Sequence, residues 1–327
     1  MEITVDKRLE FLTALVVAYK EKIAQNKDEF DWVEYPDNDY VRSLIERINI
    51  ENYPEIAPFL ESDFDCGRYS QLYFYFDFEM NYDGNYLSNM SLFDKLPIED
   101  YGKLVHKIYV ERNLKEYFLL HEKDKQDLIS YAKSIMFSKE EVTMALQELY
   151  KIHIPNSHIV VSLLFNGGFG PSYKGESYCL RGVGFENGKY ILSGDHLKQN
   201  FFHEASHPLV NPLIDKYYED FKFDEALLKE AINKGLPTCY SSLKTLLYEY
   251  FVRVNENYLV KKYISKERYL NSIAWVKSIG FIYIEELIGV LEKSKPFYNN
   301  YEEVLVHELL PCLEEHNLKL KKQQPHT

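Results

Sequence analysis

The chain has 327 residues, 46% of them hydrophobic and 27% charged, the balance of a globular protein with enough length for a sizeable core and two subdomains. Its 38 basic residues against 51 acidic ones leave a net charge of −13, which argues against gripping a phosphate backbone as the main function. Four isolated cysteines, Cys66, Cys179, Cys239 and Cys312, lack C-x-x-C spacing and so suggest neither a disulfide framework nor a cysteine zinc site, and no stretch approaches the roughly 20 apolar residues that span a bilayer.

Residues 1–152 read as a mainly helical region. Leu9, Leu12, Leu15, Val16 and Tyr19 recur at helical spacing. The apolar run over 11–19 is short, flanked by charge and without a small-residue cleavage site, so it reads as the core face of a first helix, not a signal peptide. The expected location is cytoplasmic by default, or secreted if a leader has been removed. Residues 73–78 fit a buried helix or a strand equally well. Asp124 opens a helix to Ile135, and Ser138-Lys139-Glu140-Glu141 is a capping box that opens another to Leu149. The texture then turns to β. Strands are expected over 158–165, 178–185 and 190–192, separated by the glycine-rich loop 166–171 and a turn over 186–189, and paired antiparallel. Beyond Pro212 the chain is again helical to about residue 316, with a tail that frays from Lys319.

The densest chemistry lies between these regions. His203-Glu204-Ala205-Ser206-His207 reads H-E-x-x-H in a segment expected to be helical from Ser193-Gly194-Asp195. Two imidazoles four residues apart share one face of a helix and can close on one zinc ion, with Glu204 beside them. A catalytic zinc keeps three protein ligands and a water, whose pKa falls from about 16 to about 7, and a nearby carboxylate can take its proton. Pro208 and Pro212 are expected to end the helix just after its ligands.

The third ligand needs a separate argument. A histidine in the H-E-x-x-H-x-x-G-x-x-H manner is excluded, because Val210 and Leu213 occupy the Gly and His positions. Glu249 is favoured. It stands in a strongly apolar helix, where an unpaired carboxylate is expensive and a metal, or Arg253 one turn on, would relieve the cost. Asp215, Glu219, Glu225 and Glu256 remain alternatives.

With a later helix supplying Glu249, the motif resembles the gluzincin branch of the zincin metallopeptidases. More narrowly, residues 203–212 resemble a bacterial family of unknown-function domains regarded as metalloproteases, which carries an H-E-x-S-H-x-x-V-N-P signature and a downstream E-x-x-x-R-like helix, here Glu249 and Arg253. The resemblance spans about 158–255 and fades over the N-terminal helices. It implies an α+β, mainly helical fold: a helical N-terminal region to 152, then a zincin-like region over 153–327 in which a small mixed sheet packs on the active-site helix (153–215) ahead of a helical subdomain (216–327). It also implies Zn2+ as cofactor, a peptide or protein as substrate, and hydrolysis by a zinc-bound water that Glu204 activates. No nucleic-acid or membrane partner is expected. A zincin-like metal-binding or regulatory protein without catalysis is the alternative. Thermolysin-like enzymes commonly place an acid four residues after the ligand Glu, where it orients a histidine. Arg253 holds that position here, so Asn211, Asp215 or backbone carbonyls become candidates to fix the imidazoles.

Three further expectations concern substrate. Residues 177–183 read as an edge strand onto which an extended peptide could add. Loop 167–170 reads as a flexible rim or lid. Tyr173, Tyr301 and His307 are candidate donors to a developing oxyanion. His196, ahead of the motif, reads as a surface or capping residue.

Overall fold

The run expected to form a first core helix does so in a computed structural model, which describes residues 1–61, 69, 71–83, 98–154, 156–174, 176–237, 240 and 242–323. Helix α1 (Lys7–Lys22) is capped by Asp6, whose side chain accepts from the Arg8 backbone, and every residue from Leu9 to Tyr19 is buried. A helix enclosed on all sides has no polar stripe, so its sequence shows little amphipathicity.

The molecule is mainly helical with a small mixed sheet, and divides into two compact units: Met1–Met136 with Ser157–Gly194, and Phe137–Asn156 with Asp195–Thr327. These boundaries differ from a single cut near residue 152. The sheet falls in the first unit, because β1 (Glu2–Thr4) pairs in parallel with β2 (Ser157–Ser162), setting Glu2 opposite His158. That first unit also holds α2 (Asp39–Ile48), α3 (Ile98–Glu111), α4 (Leu114–Leu120) and α5 (Glu122–Ile135).

The central pairings are parallel, not antiparallel as the short strands suggested. Strand β2 also runs parallel to β5 (Glu176–Gly182), while β3 (Gly168–Phe169) and β4 (Ser172–Tyr173) pair antiparallel with β5 from its other side. Strand β5 is therefore interior, and the added-peptide expectation for residues 177–183 fails, since its backbone groups are already taken. The glycine loop is likewise tied down, with Gly168 and Phe169 paired to Arg181 and Leu180. Gly182 has a steric reason to be glycine, since a Cβ there would stand 2.0 Å from the Phe165 carbonyl oxygen. Strands β6 (Gly184–Glu186) and β7 (Lys189–Ile191) form the expected hairpin. Its Asn187-Gly188 turn has φ of 51° and 75°, the left-handed pair that suits a two-residue hairpin turn. Residues 73–78 form neither an α-helix nor a strand: the first three end a 3-10 helix, Leu72–Tyr75, and Phe76 makes an isolated antiparallel bridge to Tyr82.

In the second unit, α6 (Lys139–Tyr150) opens with the expected capping box, Ser138 and Glu141 each bonding the other's backbone. Helix α7 (Gly194–Tyr217) carries the motif and does not stop at its prolines. Pro208 and Pro212 give up one backbone hydrogen bond each and cost about 3 kcal/mol apiece in an unsupported helix. Burial of Val210 and Ile214 beyond the first of them holds the final turns in place. After α8 (Glu225–Asn233) comes α9 (Leu243–Tyr263), capped by Ser242 and buried along most of its length. It packs against α6, α8, α10 (Lys266–Ser278) and α11 (Ile284–Ser294). A helical run closes the chain: α12 (Tyr301–Val304), a π-helical turn (Leu305–Leu309) and α13 (Leu310–Gln323). Pro311 has no N–H to offer the His307 carbonyl, which accounts for the wider turn. Helix α13 continues past Lys319, where fraying was expected.

Among the described residues no helix is long and apolar enough to cross a membrane. Cys179 is buried and Cys312 half-buried, while Cys66 and Cys239 lie outside the described residues.

Candidate metal centre

Helix α9 sets the problem. Among its buried apolar side chains it also buries Glu249, Arg253, Asn255, Glu256 and Asn257. Groups of this kind are buried only when partnered, because an unpaired charge in an apolar interior is expensive. Glu249 and Glu256 meet partners on α7, within the same unit, while Asn255 donates to Tyr150 of α6 and Asn257 to the Arg253 carbonyl.

Helical spacing sets His203 and His207 on one face of α7, and their rings meet edge to face with centroids 4.9 Å apart. The two Nε2 atoms are 3.2 Å apart. Glu249 reaches across from α9, with Oε1 3.4 Å from His207 Nε2 and Oε2 3.7 Å from His203 Nε2. Two donors about 2.1 Å from one ion in a tetrahedron stand about 3.4 Å from each other. The two nitrogens, and each nitrogen with one of the two Glu249 oxygens, thus stand near the mutual spacing of zinc ligands, and the set of two imidazoles and one carboxylate is one that zinc accepts.

Glu204 is buried, 7% exposed, with Oε2 4.0 Å from His207 Nε2 and Oε1 accepting from Asn200 Nδ2 at 3.2 Å. It stands beside the converging donors without being one of them.

His203 is oriented by a neighbour that the sequence reading assigned differently. His203 Nδ1 is 2.8 Å from Glu256 Oε2. The polarity of the network fixes the direction of that bond. Arg268 Nε donates to Gln199 Oε1, so the Gln199 amide nitrogen faces away and donates to Glu256 Oε1 and, at 2.8 Å, to Ser272 Oγ. Glu256 then receives the proton on His203 Nδ1, so that in the neutral ring the Nε2 lone pair points at Glu249 and His207. A carboxylate behind a ligating histidine raises the basicity of the ring and holds it in place. Glu256 was an alternative third ligand; its place is behind His203. For His207 the neighbour is Asn211, as expected, with Oδ1 3.4 Å from Nδ1. Asp215 faces elsewhere, bonded to Lys244 and Tyr248, and Glu219 and Glu225 are exposed.

Arg253 stands between the two carboxylates of its own helix. One guanidinium nitrogen is 3.2 Å from Glu249 Oε2 and the other 3.9 Å from Glu256 Oε2. The rings of Trp275 and Phe281 lie 5.1 Å from its centre, so the charge is held by aromatic faces as well as acids. The Glu249–Arg253 pair offered as one relief for a buried carboxylate is thus present, and it is itself buried. Tyr240, which the sequence did not single out, donates to Glu249 Oε2 at 3.4 Å and accepts from Arg253 at 3.3 Å.

The electrostatics follow from this crowding. With neutral imidazoles, three buried carboxylates (Glu204, Glu249, Glu256) against one buried guanidinium (Arg253) sum to −2, the charge that one divalent cation balances. Burial disfavours the imidazolium of His203, but Glu204, Glu249 and Glu256 outweigh it and push its pKa up to about 9. Burial also works against ionised Glu249, yet His203, Arg253 and His207 hold its carboxyl below the usual range. Glu256 behaves alike, with His203 and Arg253 outweighing burial.

The remaining expected residues lie outside this cluster. His196 is exposed in the first turn of α7. Tyr173 belongs to the first unit, stacked on Phe74 with centroids 4.4 Å apart. Tyr301 is buried edge-on against Tyr150, and His307 is exposed and stacked on Tyr298, so neither joins the cluster.

No curated protein and no solved structure matches the chain. A family model described as a domain of unknown function, DUF4932, matches residues 82–311, which is more than half of the chain, and the chain belongs to that family.

Proposed function

We propose that this chain is a zinc-dependent hydrolase of peptide bonds, a metallopeptidase of zincin type, with His203, His207 and Glu249 as metal ligands and Glu204 as general base and then general acid. The observation that carries the reading is the convergence of two imidazole Nε2 atoms 3.2 Å apart on a carboxylate 3.4 Å from one of them, inside a buried set whose charge calls for a divalent cation.

Zinc, if held there by His203, His207 and Glu249, would supply a Lewis acid for a carbonyl oxygen and a water whose pKa is lowered to about 7. The chain's own groups do the rest. Glu256 keeps the proton of His203 on Nδ1, so Nε2 stays a lone-pair donor. Arg253 and Tyr240 hold the Glu249 carboxylate in place. Asn200 donates to Glu204 Oε1, and Oε2 stands 4.0 Å from His207 Nε2, beside the metal donors, where it can take a proton. The same oxygen can return that proton to a leaving amine, the role that makes amide cleavage fit a base placed beside the metal ligands.

Glu204→Gln tests this. It removes the base and keeps the shape, so bound zinc should stay at the parental level while cleavage of a mixed peptide library falls at least about a hundredfold. Equal cleavage by parent and variant would refute the role of Glu204. Chelator-insensitive cleavage would refute the metal. Zinc without any cleavage by the parent would favour a binding or regulatory protein.

A further inference from the structure

A second set of donors lies in the same unit, between α11 and α13. Cys312 and His316, one turn apart on α13, face Glu286 in the first turn of α11. One Glu286 oxygen is 3.0 Å from His316 Nε2, and the other accepts from the Cys312 thiol at 4.0 Å. One sulfur, one nitrogen and one oxygen donor thus lie within 4.8 Å of one another. The imidazole is held in this attitude by Tyr283, whose ring stacks on it with centroids 4.0 Å apart and planes 20° from parallel. Lys319, the cation closest in sequence, is paired with Glu315 at 2.8 Å.

We propose that Glu286, Cys312 and His316 form a second site, for a thiophilic divalent cation of the zinc class. The argument is the donor set. Donors around a tetrahedral zinc stand about 3.3–3.6 Å apart, so the 3.0 Å and 4.0 Å separations, to the two oxygens of Glu286, need changes of a few tenths of an ångström, and the thiol and imidazole, within 4.8 Å of each other, need to close by up to about 1.2 Å. A single carboxylate beside a thiol and an imidazole is a poor cage for magnesium or calcium, which want several oxygens, and a good one for zinc, cobalt or nickel. The charges of Glu286, Glu315 and Glu308 near Cys312 favour a cation, and that of Lys319 opposes it. The Glu286 side chain is 56% exposed, so the site opens to solvent and leaves a coordination position free. A cation there would tie α11 to the C-terminal helix. This inference stands apart from the reading of the first centre, which contains no sulfur.

Cobalt(II) alone, titrated into the full chain under reducing conditions, is the test. Thiolate bound to cobalt gives a near-ultraviolet charge-transfer band that two histidines and a glutamate cannot produce. The parent should show the band, and Cys312→Ser should lose it while keeping the visible d–d absorption of the first centre. His316→Gln, with the thiol intact, should also lose the band, so the proposal stays testable even if Cys312→Ser fails to fold. No band in the parent, or a band that survives either substitution in folded protein, would overturn the site. Loss of the d–d absorption alone would bear on the first centre and not on this one.

Discussion

The Glu256 carboxylate offers the sharpest handle on the first centre, because its neighbours leave an amide no good orientation. In Glu256→Gln the side chain keeps its length. With its amide nitrogen toward His203, it sets a donor against the proton on Nδ1, the nitrogen that now lies 2.8 Å from Glu256 Oε2. Turned over, it sets that nitrogen against the amide nitrogen of Gln199, which cannot turn in response without withdrawing the acceptor that Arg268 uses. Either arrangement weakens the hold on His203 and favours the tautomer with its proton on the metal side. Loss of such an outer partner costs about 10–100-fold in metal affinity, or about 1.4–2.7 kcal/mol. Competition with a chromophoric zinc chelator at fixed pH measures it directly. The variant should bind zinc more weakly by that factor, yet remain folded by circular dichroism. Parental affinity in a folded variant would refute the orientation argument.

Two other outcomes follow from the fold. Glu10 is fully buried in α1, and burial, partly offset by Ser162 and Tyr40, pushes its carboxyl up to about 7 from an ordinary 4.5. Its contribution is present in full below pH 4.5 and is lost as pH rises through about 7, a change of about 3 kcal/mol. Urea unfolding at several pH values should show this loss in the parent and not in Glu10→Gln; identical pH profiles would contradict it. Pro212 is exposed within α7, so Pro212→Ala restores an N–H that can bond the Pro208 carbonyl and should raise stability by about 1–3 kcal/mol. A lower melting temperature would show that the proline sets the helix path.

Much of the centre was legible because it is written in local spacing. Two histidines four residues apart and an acid in an apolar helix each follow from the 3.6-residue period and the cost of burying charge. The role of Glu256 was harder to see. It lies seven residues, about two turns, beyond Glu249 on the same face, and which of two aligned acids meets the ring tip and which its far side depends on how α7 and α9 pack. A signal was present in the unusual run of Asn255, Glu256 and Asn257 inside an apolar helix. The sheet was less legible still. Parallel pairing of Glu2–Thr4 with Ser157–Ser162 joins segments about 150 residues apart, and a strand of three residues carries almost no periodic signal. The helix through Pro208 and Pro212 was misread because local propensity was overridden by tertiary burial of Val210 and Ile214.

The central claim is that one cation sits where α7 and α9 converge. Anomalous diffraction at the zinc edge, from crystals grown with zinc, tests it most directly. The account predicts a peak about 2.0–2.2 Å from His203 Nε2, His207 Nε2 and a Glu249 oxygen, with Glu256 still bonded to His203 Nδ1. No peak there, or a peak bound by Glu256 in place of Glu249, would contradict it.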